Sequence, residues 1–149
     1  MVEKITLKHK EAYVKMATEF YNSPAVMHPI PQSYILETFD LLVSENPYCL
    51  GFVATEKDRV LGYMLLAKTY SQEAGGIVYW VEEIYVLPEF RGLGVGKEFF
   101  KFLNDNFSCA RLRLEVEDDN FKAVNLYKKL GFEFIPYKQM IVEKRKNNN

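Results

Sequence analysis

The chain has 149 residues, which suits one compact domain spanning 1–149, and its 48% hydrophobic and 15% aromatic content argues against disorder. The net charge of −1, from 19 Lys and Arg against 20 Asp and Glu, lacks the basic excess of a phosphate-driven nucleic-acid binder. Cys49 and Cys109 show no CxxC spacing and have too few histidines nearby for a zinc site. No stretch approaches the ~18 apolar residues of a membrane span, and Met1 to Lys10 holds no secretory core. The expectation is a cytoplasmic protein with no metal, no nucleic acid and no membrane partner.

Leu7, Tyr13, Met16, Ala17 and Phe20 fall at helical spacing, predicting a first helix over about 8–21. Pro24, Pro29 and Pro31 impose an irregular segment. Ser33 could cap a second helix with Ile35, Phe39, Leu42 and Val43 inward. Strands over 50–55 and 60–68 flank a hairpin turn, Glu56 to Arg59. A further strand runs over 77–86 and stops at Pro88.

A glycine-rich turn, Arg91-Gly92-Leu93-Gly94-Val95-Gly96, comes next and opens a helix whose inner face carries Val95, Phe99, Phe102 and Leu103. Leu112, Leu114 and Val116 alternate as a strand. Asp118-Asp119-Asn120 offers caps to a helix with Ala123, Leu126, Tyr127 and Leu130 on one face, ended by Gly131. Two closing strands are predicted over 132–137 and 139–142, and the tail from about 143 has nothing to bury. The order αα-ββ-β-α-β-α-ββ implies a mixed sheet with helices against its faces.

Strand, glycine turn and helix together aim backbone N–H groups and a helix dipole at one point, an arrangement suited to phosphates. A Walker A loop requires glycine where Arg91 stands and Ser or Thr where Glu98 stands. A dinucleotide fingerprint starting at Gly92 meets Lys97 where a small residue is needed. A turn that only reverses the chain remains the bland alternative.

Arg91-x-x-Gly94-x-Gly96, the preceding Glu83 to Phe90, and Asn120-x-x-Ala123-x-x-x-Tyr127-x-x-x-Gly131-Phe132 downstream resemble the two linked cofactor motifs of the GNAT family of acetyl-CoA-dependent N-acetyltransferases. The resemblance covers nearly the whole chain. It implies an α/β fold with a central mixed, mostly antiparallel sheet flanked by helices, its fourth and fifth strands splayed apart. It further implies that the strand segment Ile84, Tyr85 and Val86 holds the pantetheine arm, with the Val86 N–H on the thioester carbonyl. The amides of Gly92, Leu93, Gly94, Val95, Gly96 and Lys97 would take the pyrophosphate, with the Arg91 and Lys97 side chains adding charge. Asn120 and Ala123 would line the arm or phosphate region, and Tyr127 would bind there and protonate the departing thiolate.

Acetyl transfer by direct attack needs a neutral amine, so a base must take a proton from a group that titrates near pH 10.4. Glu82, Glu83 and Glu115 are the candidates. Glu82 matches an acidic position of the spermidine/spermine branch, and Glu115 a base of the branch that acetylates ribosomal-protein N-termini. Neighbouring strand residues face opposite ways, so Glu82 and Glu83 share a cleft only across a bulge. Glu19, Tyr21, His28 and Glu73 could line an acceptor pocket and Trp80 could stack there; the acidic strand favours a cationic small-molecule or peptide amine. A CoA-binding homologue without catalysis is the alternative. An acetyltransferase acting on charged tRNA is disfavoured by the net charge. Dimerisation is common among such proteins, and nothing in the residues fixes it.

Overall fold

The computed structural model describes residues 1–145. It forms two compact units, Met1–Leu114 and Glu115–Asn149. The first unit contains β1 (Val2–Lys4), α1 (Lys10–Tyr21), α2 (Gln32–Leu42), β2 (Cys49–Glu56), β3 (Arg59–Ser71), β4 (Gly76–Val86), α3 (Val95–Asn106) and β5 (Arg111–Leu114). The five strands lie in sequence order; all neighbours are antiparallel except β4 and β5, which run parallel. The expected mixed, mostly antiparallel sheet with helices on its faces is what the structure has.

Three local features differ from the sequence-based expectation. β1 is unexpected, because three residues carry no readable period; Val2 and Lys4 pair with Ala54 and Phe52, and Glu3 bonds buried His9 at 2.9 Å. α1 begins at Lys10, after a 3-10 turn at Leu7–His9. α2 begins at Gln32 with Pro31 as its N-cap, so Ser33 lies inside the first turn and caps nothing.

One face of the sheet meets α1 and α2, burying Tyr13, Met16, Ala17, Ile35, Phe39 and Leu42 against Val53, Tyr63, Leu65 and Tyr85. The other face meets α3 through Phe99, Phe100 and Leu103, and Phe52 sits 5.0 Å from Phe102. Each fully buried side chain of this size contributes roughly 1.5–3 kcal/mol. The β2–β3 hairpin closes on Lys57 and Asp58, with φ of 48° and 65°, the left-handed pair that matches strand twist in a two-residue turn.

Strand β4 has two unlike edges. β3 pairs along its whole length, whereas β5 pairs only from Val78 to Val81. Beyond Val81, among the described residues, no strand pairs with the β5 side of β4, in keeping with the expected splay. The β3–β4 register also slips: Leu66 faces Val81 and Leu65 faces Glu83, leaving Glu82 as an extra residue in a bulge.

In the second unit, α4 (Phe121–Lys129) starts at Asn120, whose Oδ1 accepts from the Ala123 N–H at 3.4 Å. It ends in a Schellman motif at Gly131, with φ of 93°. Phe132 N–H donates to Tyr127 O at 2.9 Å, Gly131 N–H donates to Lys128 O at 3.1 Å, and the Tyr127 and Phe132 rings meet at 5.8 Å. The two closing strands predicted over 132–137 and 139–142 do not form; both stretches are irregular. A strand exists only by its ladder, and the described residues of this unit offer no partner strand, so alternation alone does not produce one. The predicted fraying tail lies partly outside the described residues. Among the described residues, no helix is long and apolar enough to cross a membrane.

Candidate functional site

The glycine turn joins a 3-10 turn at Pro88–Phe90 to α3. Gly92 and Gly94 adopt φ of 77° and 91°, and an added Cβ at either would meet nothing within 4 Å. Glycine is therefore required by backbone conformation, not by crowding. Gly94 is the N-cap of α3, and no side chain caps the helix there. The first-turn amides of Val95, Gly96 and Lys97 thus stand at the positive end of the helix dipole without a protein acceptor from a cap, a setting suited to an anion. Lys97 is exposed beside them.

The neighbouring end of β4 adds an open backbone edge. Leu87 N–H donates to Leu61 O at 2.9 Å, so by strand alternation the polar groups of Ile84 and Val86 point away from β3. The Val86 carbonyl on that side accepts from Arg91 Nε at 2.8 Å. The Arg91 guanidinium also lies 5.4 Å from the centre of the Tyr85 ring. These features fit a ligand that carries a diphosphate followed by an amide-bearing arm.

On the α1 side of β4, the bulge decides which glutamate enters the protein. Glu82 is exposed, while Glu83 turns onto the face of Tyr63 and Tyr85. The Tyr21 hydroxyl, from the last residue of α1, donates to Glu83 Oε1 in a short hydrogen bond. The Tyr63 hydroxyl donates to Glu83 Oε2 at 3.1 Å. Burial pushes the Glu83 carboxyl above its ordinary value, the two phenol bonds pull it down, and the charge of Glu82 raises it. Burial and the Glu83 charge drive the Tyr13, Tyr21 and Tyr63 phenols upward, so all three are protonated and available as donors at neutral pH. Tyr85 donates to Glu19 Oε2 at 2.8 Å, linking β4 back to α1.

A cavity of about 280 Å³ opens beside this cluster, lined by Tyr21, Asn22, Ser23, Val26, Met27, His28 and Pro29. Two residues expected at an acceptor pocket, Tyr21 and His28, therefore share one wall; His28 Nδ1 donates to Pro29 O at 3.0 Å. The other three do not line the cavity: Glu19 on α1 accepts from Tyr85, Glu73 lies in the β3–β4 turn and Trp80 on β4. Glu73 pairs with Arg111 Nη1 at 2.8 Å, and Trp80 carries the Arg113 guanidinium 4.3 Å from its ring centre.

Glu115, Asn120, Ala123 and Tyr127 belong to the second unit. Glu115 is exposed, and burial raises the Tyr127 phenol. Tyr63 and Tyr13 are functional candidates that sequence reasoning misses. Nothing near Tyr63 in the chain sets it apart from a core tyrosine; only the register Tyr63↔Tyr85 and Leu65↔Glu83 brings its hydroxyl to the carboxylate. Among the described residues, no group of three or more His, Cys, Asp or Glu is placed to hold a metal.

The chain is similar to several known acetyltransferases. The thialysine N-epsilon-acetyltransferase of Mus musculus is 41% identical over 98 residues, covering 58% of this chain and 57% of that protein. The spermine/spermidine N(1)-acetyltransferase of Bacillus subtilis (strain 168) is 29% identical over 59 residues, 37% of this chain and 39% of that one. The matches thus span about half or less of these relatives' lengths. Among solved structures, AAC(6')-Iy in complex with a bisubstrate analog, CoA-S-monomethyl-acetylneamine, superposes with a TM-score of 0.76 at 18% identity, covering 98% of both chains. The family model described as the acetyltransferase (GNAT) family matches residues 11–132, from α1 through the cap of α4. With both glycine-bearing motifs inside that span, the chain belongs to the acetyltransferase (GNAT) family.

Proposed function

We propose that this protein is an acetyl-CoA-dependent N-acetyltransferase whose acceptor is a cationic primary amine. The observation that carries the reading is Glu83: a carboxylate held by two phenols, one of which lines the cavity, on the strand whose far edge is open next to an uncapped helix N-terminus. Acetyl-CoA fits that second feature. Its diphosphate would lie on the amides of Gly92 to Lys97, and its arm along the outward backbone groups of Ile84 and Val86. A thioester carbonyl met by the Val86 N–H would gain charge stabilisation of several kcal/mol as its oxygen becomes negative.

The amine arrives as an ammonium and must lose a proton before its lone pair can attack. Glu83 is the acceptor of that proton, since a raised carboxyl is a stronger base than a solvated one. The N–C bond would form as the C–S bond breaks, and the departing thiolate would take a proton, the role that the family resemblance gives to Tyr127. Glu82 on its bulge adds negative charge beside the site, which favours a cation over a neutral acceptor. The named activities of the mouse and Bacillus relatives, on thialysine and on spermine and spermidine, support a lysine-like or polyamine acceptor. The cytoplasmic setting is in keeping with two free cysteines, Cys49 and Cys109.

Release of free CoA thiol should be measured across thialysine, lysine peptides, spermidine, spermine, aminoglycosides and N-terminal peptides. The expected result is selective turnover with the polyamines or the lysine-like amines. No turnover across the panel, with acetyl-CoA still bound, would replace this reading by that of a non-catalytic CoA-binding protein.

A further inference from the structure

Tyr63 lies in the middle of β3 with none of its surface exposed. Its ring is fixed on two sides: Tyr13 meets it edge-on at 5.2 Å and Tyr85 stacks on it at 6.0 Å. A buried phenol held this way has little freedom to seek another partner, and its hydroxyl bonds Glu83 Oε2 at 3.1 Å. Tyr21 holds the other oxygen, Oε1. With a donor on each oxygen, the carboxyl group is fixed in rotation as well as in place. The two donors differ in kind. Tyr21 is half-buried and lines the cavity, so an entering ligand meets it; Tyr63 is sealed behind the carboxylate and is reached by nothing.

We infer that Tyr63 is a positioning residue for acetyl transfer, anchoring Glu83 through Oε2 so that the carboxylate stays aimed while Tyr21 and the acceptor move at Oε1. The inference rests on the reading of Glu83 as proton acceptor. The groups acting on that carboxylate are Tyr13 and Tyr21 from α1, Tyr63 from β3, and Glu82 beside it on β4; Glu19 is engaged by Tyr85. A phenol donating to a carboxylate favours the charged form. Removing the Tyr63 hydroxyl therefore moves Glu83 further up, and the carboxyl stays protonated to a higher pH.

The test is Tyr63→Phe, which keeps the ring and its stacking. Protein labelled with ¹³C at the glutamate carboxyls is titrated by NMR, with the Glu83 signal assigned by its loss in Glu83→Gln. The acid limb of kcat is recorded in parallel with the amine that is turned over fastest. Tyr63→Phe should raise the Glu83 midpoint by about one pH unit, the size set by one hydrogen bond to a charged group. The acid limb of turnover should shift by the same amount, with the melting temperature little changed. An unmoved Glu83 midpoint overturns the inference whatever the acceptor proves to be. A midpoint that moves while the acid limb stays fixed overturns instead the assignment of Glu83 as proton acceptor, and the role of Tyr63 with it.

Discussion

Arg91 Nε donates to the carbonyl of Val86 at 2.8 Å, bridging the end of β4 and the start of the glycine turn. The guanidinium is thus a strut as well as a charge, steadied by the Tyr85 ring. Arg91→Lys keeps the charge and loses the strut, because an ammonium on a flexible stem cannot reproduce an Nε bond. Acetyl-CoA affinity, read by calorimetry, should fall roughly tenfold, the equivalent of one charged hydrogen bond. Wild-type affinity in the lysine variant would show that charge alone suffices.

Gly94→Ala tests the turn by conformation alone. Its φ is 91° and a methyl group there meets no neighbour, so any loss comes from forcing an L-residue into left-handed backbone. The expected cost is about 1–2 kcal/mol in urea unfolding. Acetyl-CoA binding should weaken with it, since α3 begins on this residue. A variant as stable as the parent would mean that the turn relaxes to another conformation.

Glu83→Gln should lower turnover by roughly 10²–10⁴-fold while leaving acetyl-CoA bound. It should also change how stability depends on pH. Glu83 has a folded value raised above the ordinary 4.5, so it contributes most below that value, where both states are protonated. As pH rises from 4.5 through the folded value, the unfolded chain ionises first and the native state loses ground. Wild type should show this decline in denaturant titrations across that window, and the glutamine variant should lack it. Parallel pH curves would mean that the carboxylate is not desolvated in solution.

Tyr127→Phe should reduce turnover by about 10²-fold, the usual scale for one acid catalyst, with acetyl-CoA affinity little altered. Tyr127 sits at the C-terminal cap of α4, where its carbonyl accepts from the Phe132 N–H at 2.9 Å. The phenylalanine variant preserves that cap and the ring contact with Phe132. An unchanged rate would therefore remove the hydroxyl from the mechanism without any question of misfolding.

The helices and the hairpin were legible because their periods are long enough to count: Tyr13, Met16 and Ala17 on α1, and Phe99 and Leu103 on α3, are all buried as spaced. The glycine turn was legible because glycine at 92 and 94 answers a left-handed backbone that other residues rarely adopt. The glutamate pair was readable only as a choice. Alternation left Glu82 and Glu83 on opposite faces, and which one enters the protein depends on a register with β3 that no local sequence encodes. Tyr63 was invisible for the same reason, being separated from Glu83 by 20 positions in the chain. The predicted strands over 132–142 failed because alternation reports a willingness to pair, and pairing needs a neighbour.

The extra residue at Glu82 works as a phase setter for the rest of β4. Were the bulge ironed out with every residue kept, Glu82 would pair with Leu65, and everything from Glu83 to Val86 would turn over if β3 kept its register. Glu83 and Tyr85 would then face α3, and the outward amides of Ile84 and Val86 would rotate into the ladder with β3. Loss of that one bulge would remove the buried carboxylate and the outward strand edge together. A buried carboxylate and an outward backbone edge are in this way set by a single irregularity of the strand, and neither keeps its place without it.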